Sequence, residues 1–81
     1  MYNYAQEFIV GKKIFKLEQG EEFITLQSLL KATNIVSTGG MVKIFLAETE
    51  VLVNGERENR RGRKLYSGDL IQVSNNVFEI K

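Results

Sequence analysis

Residues 51–56, Val51-Leu52-Val53-Asn54-Gly55-Glu56, give the clearest structural signal in this chain of 81 residues. Three apolar residues precede Asn54-Gly55, and a type I′ turn needs positive φ at both of its central positions, which asparagine and glycine tolerate best. The stretch therefore predicts a hairpin with a two-residue turn. Its paired strands are expected at residues 51–53 and 56–58.

A first helix is predicted ahead of this hairpin. Leu26, Leu29 and Leu30 have the i, i+3, i+4 spacing that places side chains on one helical face. Thr25 is an acceptable N-cap residue. The helix is expected from about Leu26 to Thr33.

A second helix, capped by Ser37 or Thr38, is predicted to run through residues 41–47. Because it is apolar around most of its circumference, we expect it to be central in the fold. Gly39 and Gly40 occupy its first turn, although a glycine in a helix costs about 1 kcal/mol relative to alanine. Two interpretations are open: a ligand approaches the backbone closely here, or the two helices pack tightly against each other.

Two short strands are predicted near the N-terminus. Residues 7–10 and 13–17 are largely apolar and flank Gly11-Lys12. This pair, with glycine first, suits a two-residue hairpin turn.

Strands are also predicted near the C-terminus. Gly68-Asp69 is typical of a turn, with Asp69 as an oxygen acceptor. A strand follows at residues 70–73, and the chain is expected to fold back through Asn75-Asn76 to residues 77–80. The order of strands, two helices and strands predicts an α+β fold. The residues assigned to its core are Leu26, Leu29, Leu30, Val42, Phe45, Leu46, Val51, Val53, Leu70 and Ile71.

Positive charge is concentrated in residues 57–64. Five cations and one acid give this window a charge of +4, whereas the whole chain carries +1, so the other 73 residues sum to −3. A local cluster built mainly of arginine is typical of a surface that binds a polyanion, and nucleic acid is the commonest one. Guanidinium groups bind phosphate bidentately and stack on unpaired bases. The alternative is a solvated loop whose cations pair with Glu56 and Glu58.

The composition argues against several classes of protein. The sequence contains no histidine and no cysteine, so it offers no imidazole base, no thiolate nucleophile and no usual zinc ligand. No apolar stretch approaches the roughly 18–20 residues that span a bilayer, and the signal-peptide pattern is missing. A non-enzymatic, cytoplasmic protein without metal or cofactor is expected.

In this order and spacing, the motifs resemble the S4-like RNA-binding domain. Gly39-Gly40, Lys43 and residues 60–65 resemble its stand-alone bacterial members of the YaaA type. The resemblance covers about residues 23–73. It rests on the leucine spacing of the first helix, the serine-initiated second helix, the Asn54-Gly55 hairpin and the Gly68-Asp69-Leu70-Ile71 stretch. One difference is Thr38, because many such domains have arginine directly after the serine that opens the second helix.

The resemblance implies a small α+β fold, called alpha-L, in which two packed helices lie against a short antiparallel or mixed β-sheet. Residues 23–81 would form the RNA-binding domain, and residues 1–22 would be N-terminal strands or an extension. The implied function is docking on structured RNA, with ribosomal RNA or a ribosomal subunit during assembly as the expected partner.

Two surfaces are expected to contact this RNA: the start of the second helix and the basic loop. Tyr66 is interpreted as a half-buried residue at a strand end, with a stacking ring as the alternative, and Lys31 as a solvated residue. The residues expected to bind RNA are Ser37, Thr38, Gly39, Gly40, Lys43, Arg57, Arg60, Arg61, Arg63 and Lys64.

The sequence leaves two other functions open. One is a protein-interaction adaptor whose basic loop binds an acidic partner. The other is a regulatory RNA-binding subunit of an RNA-modifying enzyme, because a chain of 81 residues is too short to hold the catalytic domain as well.

Overall fold

A computed structural model of the chain describes residues 12–81. Over these residues the chain forms seven strands and two helices, which confirms the α+β class. The elements are β1 (Lys12–Phe15), β2 (Phe23–Thr25), α1 (Leu26–Ala32), α2 (Gly39–Glu48), β3 (Val51–Val53), β4 (Glu56–Arg57), β5 (Lys64–Tyr66), β6 (Leu70–Val73) and β7 (Asn76–Ile80).

The strands form two sheets instead of the single sheet expected. Five strands make a mixed sheet in the order β1-β7-β6-β3-β4, and β2 pairs with β5 in a separate antiparallel sheet. The loop after β4 carries the chain away from the larger sheet, and β5 then pairs with the strand that directly precedes α1.

Strand β1 is parallel to its neighbour β7, with Lys12 opposite Val77 and Phe15 opposite Ile80. The strand predicted at residues 7–10 lies outside the described residues, as does the start of the turn predicted to follow it. The boundary between an N-terminal segment (residues 1–22) and the RNA-binding domain (residues 23–81) stays a prediction.

The hairpin between β3 and β4 has the predicted turn. Asn54 has a φ of 53° and Gly55 a φ of 86°, and Val53 lies opposite Glu56. Both central residues therefore have the positive φ of a type I′ turn.

The side chain of Asn54 ties this turn to the turn ahead of β6. Its Nδ2 donates to Asp69 Oδ1 at 3.0 Å, and its Oδ1 accepts from the Leu70 amide at 2.9 Å. Asp69 Oδ2 also accepts from the Tyr66 amide at 2.8 Å, which confirms Asp69 as an acceptor in its turn.

The turn between β6 and β7 lies one residue earlier than predicted. It consists of Ser74-Asn75, with Val73 opposite Asn76 and Ser74 at a φ of 54°. In this register Ile80 donates its amide to Asp69 O at 3.0 Å and accepts at its carbonyl from Gly68 N at 2.7 Å. The ladder therefore extends beyond the strand, which stabilises this pairing.

Helix α1 has the predicted start and ends one residue before the predicted Thr33. Thr25 is its N-cap, and the Thr25 hydroxyl oxygen accepts from the Ser28 amide at 3.2 Å. The helix ends at Ala32, and Asn34 follows with a φ of 64°, which reverses the chain direction.

Helix α2 is not central, and this expectation was wrong. Val42 and Leu46 are buried, but Met41 is 54% exposed and Ile44 is 58% exposed. A chain of this size buries only about 60–65% of the surface that its unfolded form exposes, so one face of α2 is left uncovered.

The core lies between the helices and the larger sheet, and most of the predicted core residues are buried. Leu70 is the exception at 42% exposed, because Ile71 and Val73 on the same strand point inward and residues of a strand alternate between faces. Phe45 is partly buried and packs against the core. The core residues that the sequence analysis did not assign are Val36, Leu65, Val73, Phe78 and Ile80.

Neither helix within residues 12–81 has the length and apolar run that a membrane crossing requires. In the same part of the chain, no three acidic side chains lie close enough together to hold a metal ion.

Replacing Asn54 by alanine is expected to destabilise the fold. Asn54→Ala removes a residue that tolerates positive φ and both side-chain hydrogen bonds to the neighbouring turn. We expect the free energy of unfolding to fall by about 1–3 kcal/mol, measured by urea titration. Asn75→Ala, in an exposed turn, is the control and should change it by no more than about 0.5 kcal/mol. Equal effects of the two substitutions would contradict this role of Asn54.

Candidate nucleic-acid interface

The loop between β4 and β5 is organised around one buried carboxylate, Glu58, whose side chain is only 7% exposed. Its Oε2 accepts from Arg60 N and Arg60 Nε, both at 2.9 Å. Its Oε1 accepts from Arg60 Nη2 at 3.0 Å and from Arg63 Nη1 at 2.7 Å. The hydrogen bonds from the Arg60 side chain, with those from its amide and from Arg63, outweigh burial and lower the pKa of Glu58 from 4.5 to about 2.

Glu58 points inward because of the hairpin register. Leu52 lies opposite Arg57, and the ladder continues one residue farther, where the Glu58 amide donates to Val51 O at 2.8 Å. Directly opposed residues share a face of the sheet, and Val51 is fully buried. This role of Glu58 was not predicted, although counting outward from the two-residue turn pairs residue 58 with residue 51.

The alternative considered for the loop was that its cations pair with Glu56 and Glu58. Ion pairing with Glu58 does occur for Arg60 and Arg63, and it leaves both guanidinium groups with unused N–H donors. A guanidinium has five N–H groups, of which Arg60 uses two and Arg63 uses one on Glu58. The Arg60 side chain is 72% exposed and that of Arg63 is 32% exposed. Both can therefore still donate to a phosphate, and their role in RNA binding stays a prediction.

Backbone carbonyl groups of the basic loop hold the start of α1. Arg61 O accepts from the Gln27 amide and Arg63 O from the Leu26 amide, each at 2.9 Å. These are first-turn N–H groups, which have no partner within their own helix. The loop and α1 therefore fix each other's position.

Gln27 also faces the start of α2. A Cβ atom added at Gly39 would lie 3.6 Å from Gln27 Nε2, so the Gln27 side chain lies beside the first residue of α2, while the Gln27 amide donates to Arg61 O. The structure thus brings the glycine-led helix start and the basic loop together. This position of Gln27 was not predicted, because no motif in the sequence indicates it.

Lys43 and Arg61 line one shallow groove of about 350 Å³ between α2 and the loop. Both residues are exposed. The remaining lining residues are Leu46, Ala47 and Asn59. Two cations from separate elements, both predicted to bind RNA, therefore lie at one site.

The start of α2 offers unobstructed backbone. Thr38 is the N-cap residue, its hydroxyl makes no capping hydrogen bond, and Ser37 precedes it as an exposed residue. Apart from its chain neighbours and the adjoining helix backbone, a Cβ atom at Gly40 would meet no atom within 4 Å, and at Gly39 it would make only an ordinary contact. Tight helix packing therefore does not explain the two glycines.

Lys64 and Arg57 lie in strands and not in the loop. Lys64 belongs to β5, where its Nζ lies 4.9 Å from the centre of the Phe23 ring. Arg57 is exposed on β4, at the edge of the larger sheet. Lys31 is exposed in the last turn of α1, in agreement with its interpretation as a solvated residue.

A second groove, of about 460 Å³, is lined by other residues of the loop and by Tyr66. The strand-end position predicted for Tyr66 is confirmed, and the residue is 48% exposed, so much of its ring is accessible. The lining residues are Arg60, Gly62, Arg63, Lys64 and Tyr66.

Glu58→Gln is expected to lower the free energy of unfolding by about 1–3 kcal/mol near neutral pH, because it replaces charge-assisted hydrogen bonds by weaker ones. The folded-state pKa of about 2 lies below the ordinary 4.5, so this stabilisation is present above about pH 4.5 and is lost as the pH falls toward 2. Urea titrations of the protein and the variant at several pH values should show the difference shrinking below pH 4.5.

Glu56→Gln on the exposed strand β4 is the matched control and should have little effect at any pH. The pKa of Glu79 is also lowered, mainly by a hydrogen bond from Lys12. Because Glu79 is present in both proteins, the difference between variant and wild type reports the contribution of Glu58 to the pH dependence of stability. A difference for Glu58→Gln that did not change between neutral pH and pH 3 would show that the carboxylate charge is not what stabilises the loop.

Comparison with known proteins agrees with the resemblance seen in the sequence. The family model described as the S4 domain matches residues 15–81. The chain is also 56% identical, over 52 residues, to the "Probable ribosome maturation protein RlbA" of Bacillus subtilis (strain 168). That alignment covers 64% of this chain and 73% of the relative. The chain belongs to the S4 domain family.

Proposed function

We propose that this protein is a non-enzymatic RNA-binding protein that docks on structured RNA, with ribosomal RNA or a ribosomal subunit during assembly as its target. The observation that carries the proposal is the groove in which Lys43 of α2 and Arg61 of the loop lie together. Membership of the S4 domain family and the name of the relative, a ribosome maturation protein, support the target. A ribosomal target would place the protein in the cytoplasm.

The start of α2 is proposed to hold a phosphate group beside this groove. A helix start carries the positive end of the helix dipole and N–H groups without helical partners, which together favour an anion. The unfilled space at Gly40 leaves room for a phosphate to reach the backbone, and the Ser37 and Thr38 hydroxyls can donate to it.

Recognition through phosphate and shape suits the chemistry of this surface. The proposed contacts are cations, hydroxyl groups and backbone amides, which position a protein on RNA, whereas contacts to base edges add sequence specificity. The absence of histidine and cysteine supports a binding role rather than catalysis. The proposed RNA-binding residues are Ser37, Thr38, Gly39, Gly40, Lys43, Arg57, Arg60, Arg61, Arg63 and Lys64.

An adaptor for an acidic protein would use the same cations, and so would an RNA-binding subunit of a modifying enzyme. Affinity capture from a bacterial lysate, with and without nuclease treatment, separates these functions. RNA binding predicts that ribosomal components are lost after nuclease treatment. A protein partner that persists after nuclease treatment would favour the adaptor, and RNA-modifying activity in the captured material would favour the subunit.

The double variant Lys43→Gln/Arg61→Gln should weaken binding to end-labelled bacterial ribosomal RNA and flatten its salt dependence. Neither side chain bonds to Glu58, so the loop should stay folded, unlike in variants of Arg60 or Arg63. Each lost phosphate contact should reduce the slope of log K against log salt by about 0.7–0.9, which gives about 1.4–1.8 for two contacts. Filter binding at several salt concentrations measures the slope.

Lys31→Gln is the control for loss of a surface cation outside the groove, because Lys31 is an exposed cation in the last turn of α1. It should leave the slope unchanged. If the double variant and the control had the same affinity and slope as the wild type, the groove would not be the RNA-binding site.

Gly40→Ala should have opposite effects on folding and on RNA binding. The added methyl group enters open space and improves helix propensity, so the free energy of unfolding should rise by up to about 1 kcal/mol. The same methyl group stands where the phosphate would approach, so affinity for ribosomal RNA should fall. A variant that is stabilised but binds with unchanged affinity would contradict phosphate docking at the start of α2.

A further inference from the structure

We propose that the groove beside Tyr66, called the base pocket here, binds one unpaired nucleotide of the RNA target. The base would stack on the Tyr66 ring, and the adjoining phosphate would contact the cations of the pocket. The base pocket is the groove lined by Arg60, Gly62, Arg63, Lys64 and Tyr66. This inference rests on the proposed RNA-binding function and adds the kind of nucleotide that is recognised.

The Tyr66 ring is accessible and held in place before any ligand arrives. Tyr66 is 48% exposed. Its amide donates to Asp69 Oδ2 at 2.8 Å, and its carbonyl accepts from the Asp69 amide at 2.9 Å. The Phe23 ring supports it from the neighbouring strand, with ring centres 5.8 Å apart and planes inclined by 52°. An immobilised aromatic ring is a stacking platform that loses little conformational entropy on binding.

The charges of the base pocket suit a phosphate next to the stacked base. Arg60, Arg63 and Lys64 bring three positive charges, and Glu58 cancels one of them, so two remain. Lys64 is held over the Phe23 ring at 4.9 Å, which keeps its ammonium group beside the aromatic pair. An aromatic face bordered by cations offers both interactions that a nucleotide needs, stacking for the base and hydrogen bonds for the phosphate.

The direction of stacking favours an unpaired nucleotide over a duplex. The groove of about 460 Å³ is open to solvent, so a base turned out of a helix can reach it. Bases within a duplex are stacked on each other and have no free face for a protein ring. The ligand is therefore expected at a bulge, a loop or an end of the RNA.

The direct test compares two RNA hairpins whose strands are joined by a non-nucleotide linker, one with a single bulged adenosine and one with the same stem fully paired, so that the bulge is the only unpaired nucleotide. Tyr66→Ala should weaken binding of the bulged hairpin by about 5- to 150-fold, the range measured for loss of one base–aromatic stack. Binding of the paired hairpin should change by less than about twofold. Tyr66→Phe keeps the ring and should retain the affinity of the wild type for both hairpins.

A fluorescence measurement tests the same contact without comparing affinities. The sequence contains no tryptophan, so Tyr66→Trp introduces a single reporter in the base pocket. Its emission should be quenched by the bulged hairpin and not by the paired one. Ile14→Trp on β1, at a position that is 55% exposed, is the control and should respond to neither hairpin.

The outcomes distinguish failure of the base-pocket proposal from failure of the proposed RNA-binding function. If the wild type binds RNA through Lys43 and Arg61, but Tyr66→Ala affects both hairpins equally or neither, the base pocket is wrong and the RNA-binding function stands. If the wild type binds neither hairpin nor ribosomal RNA, both fail. If a polyglutamate peptide binds in a Lys64-dependent, Tyr66-independent manner and displaces the bulged hairpin, the pocket is an acidic-peptide site instead.

Discussion

The buried carboxylate of Glu58 is the interaction on which the rest of the structure depends. It accepts four hydrogen bonds, three of them from Arg60 and one from Arg63. The backbone amide of Glu58 donates to Val51 O and so extends the hairpin by one residue. A carboxylate in this position must be paired, because an uncompensated buried charge is strongly unfavourable. The loop can therefore adopt few other conformations, and in the observed one its carbonyl groups satisfy the first turn of α1.

This arrangement holds the guanidinium groups of Arg60 and Arg63 against Glu58, whereas exposed cations usually have no such partner. Immobilising a long side chain at an interface ordinarily costs about 0.5–1.5 kcal/mol. For Arg60 and Arg63, part of that cost is met during folding, since Glu58 already holds their guanidinium groups. The attraction of each to phosphate is weaker than that of a free arginine, because the same carboxylate offsets some of their charge. The loop thus combines lower net charge with a defined spacing of donors, which suits recognition of RNA shape.

Local signals in the sequence predicted local structure well, and most differences arose where distant segments meet. The Asn54-Gly55 turn and the Thr25 cap follow from the conformational preferences of a few neighbouring residues, and both are present. The exposed face of α2 could not be predicted from its apolar composition, because exposure depends on how many elements are available to cover it. Glu58 was read as one negative charge in a basic window; its burial depends on the pairing with Val51 across the hairpin. For the candidate site, the sequence supplied the cations but not the contacts of Gln27 that bring them beside α2.

The parallel pairing of β1 with β7 sets an order in time for assembly of the sheet. Each pair joins residues 65 positions apart, such as Lys12 and Val77, whereas β6 and β7 are joined by a two-residue turn. At about 5–20 residues per second, a ribosome needs roughly 3–13 s to synthesise the residues between such partners. The β6–β7 hairpin closes a far shorter loop and forms faster. We therefore expect β1, the earliest of the described strands, to pair after the β6–β7 hairpin has formed and to add to the edge that this hairpin provides.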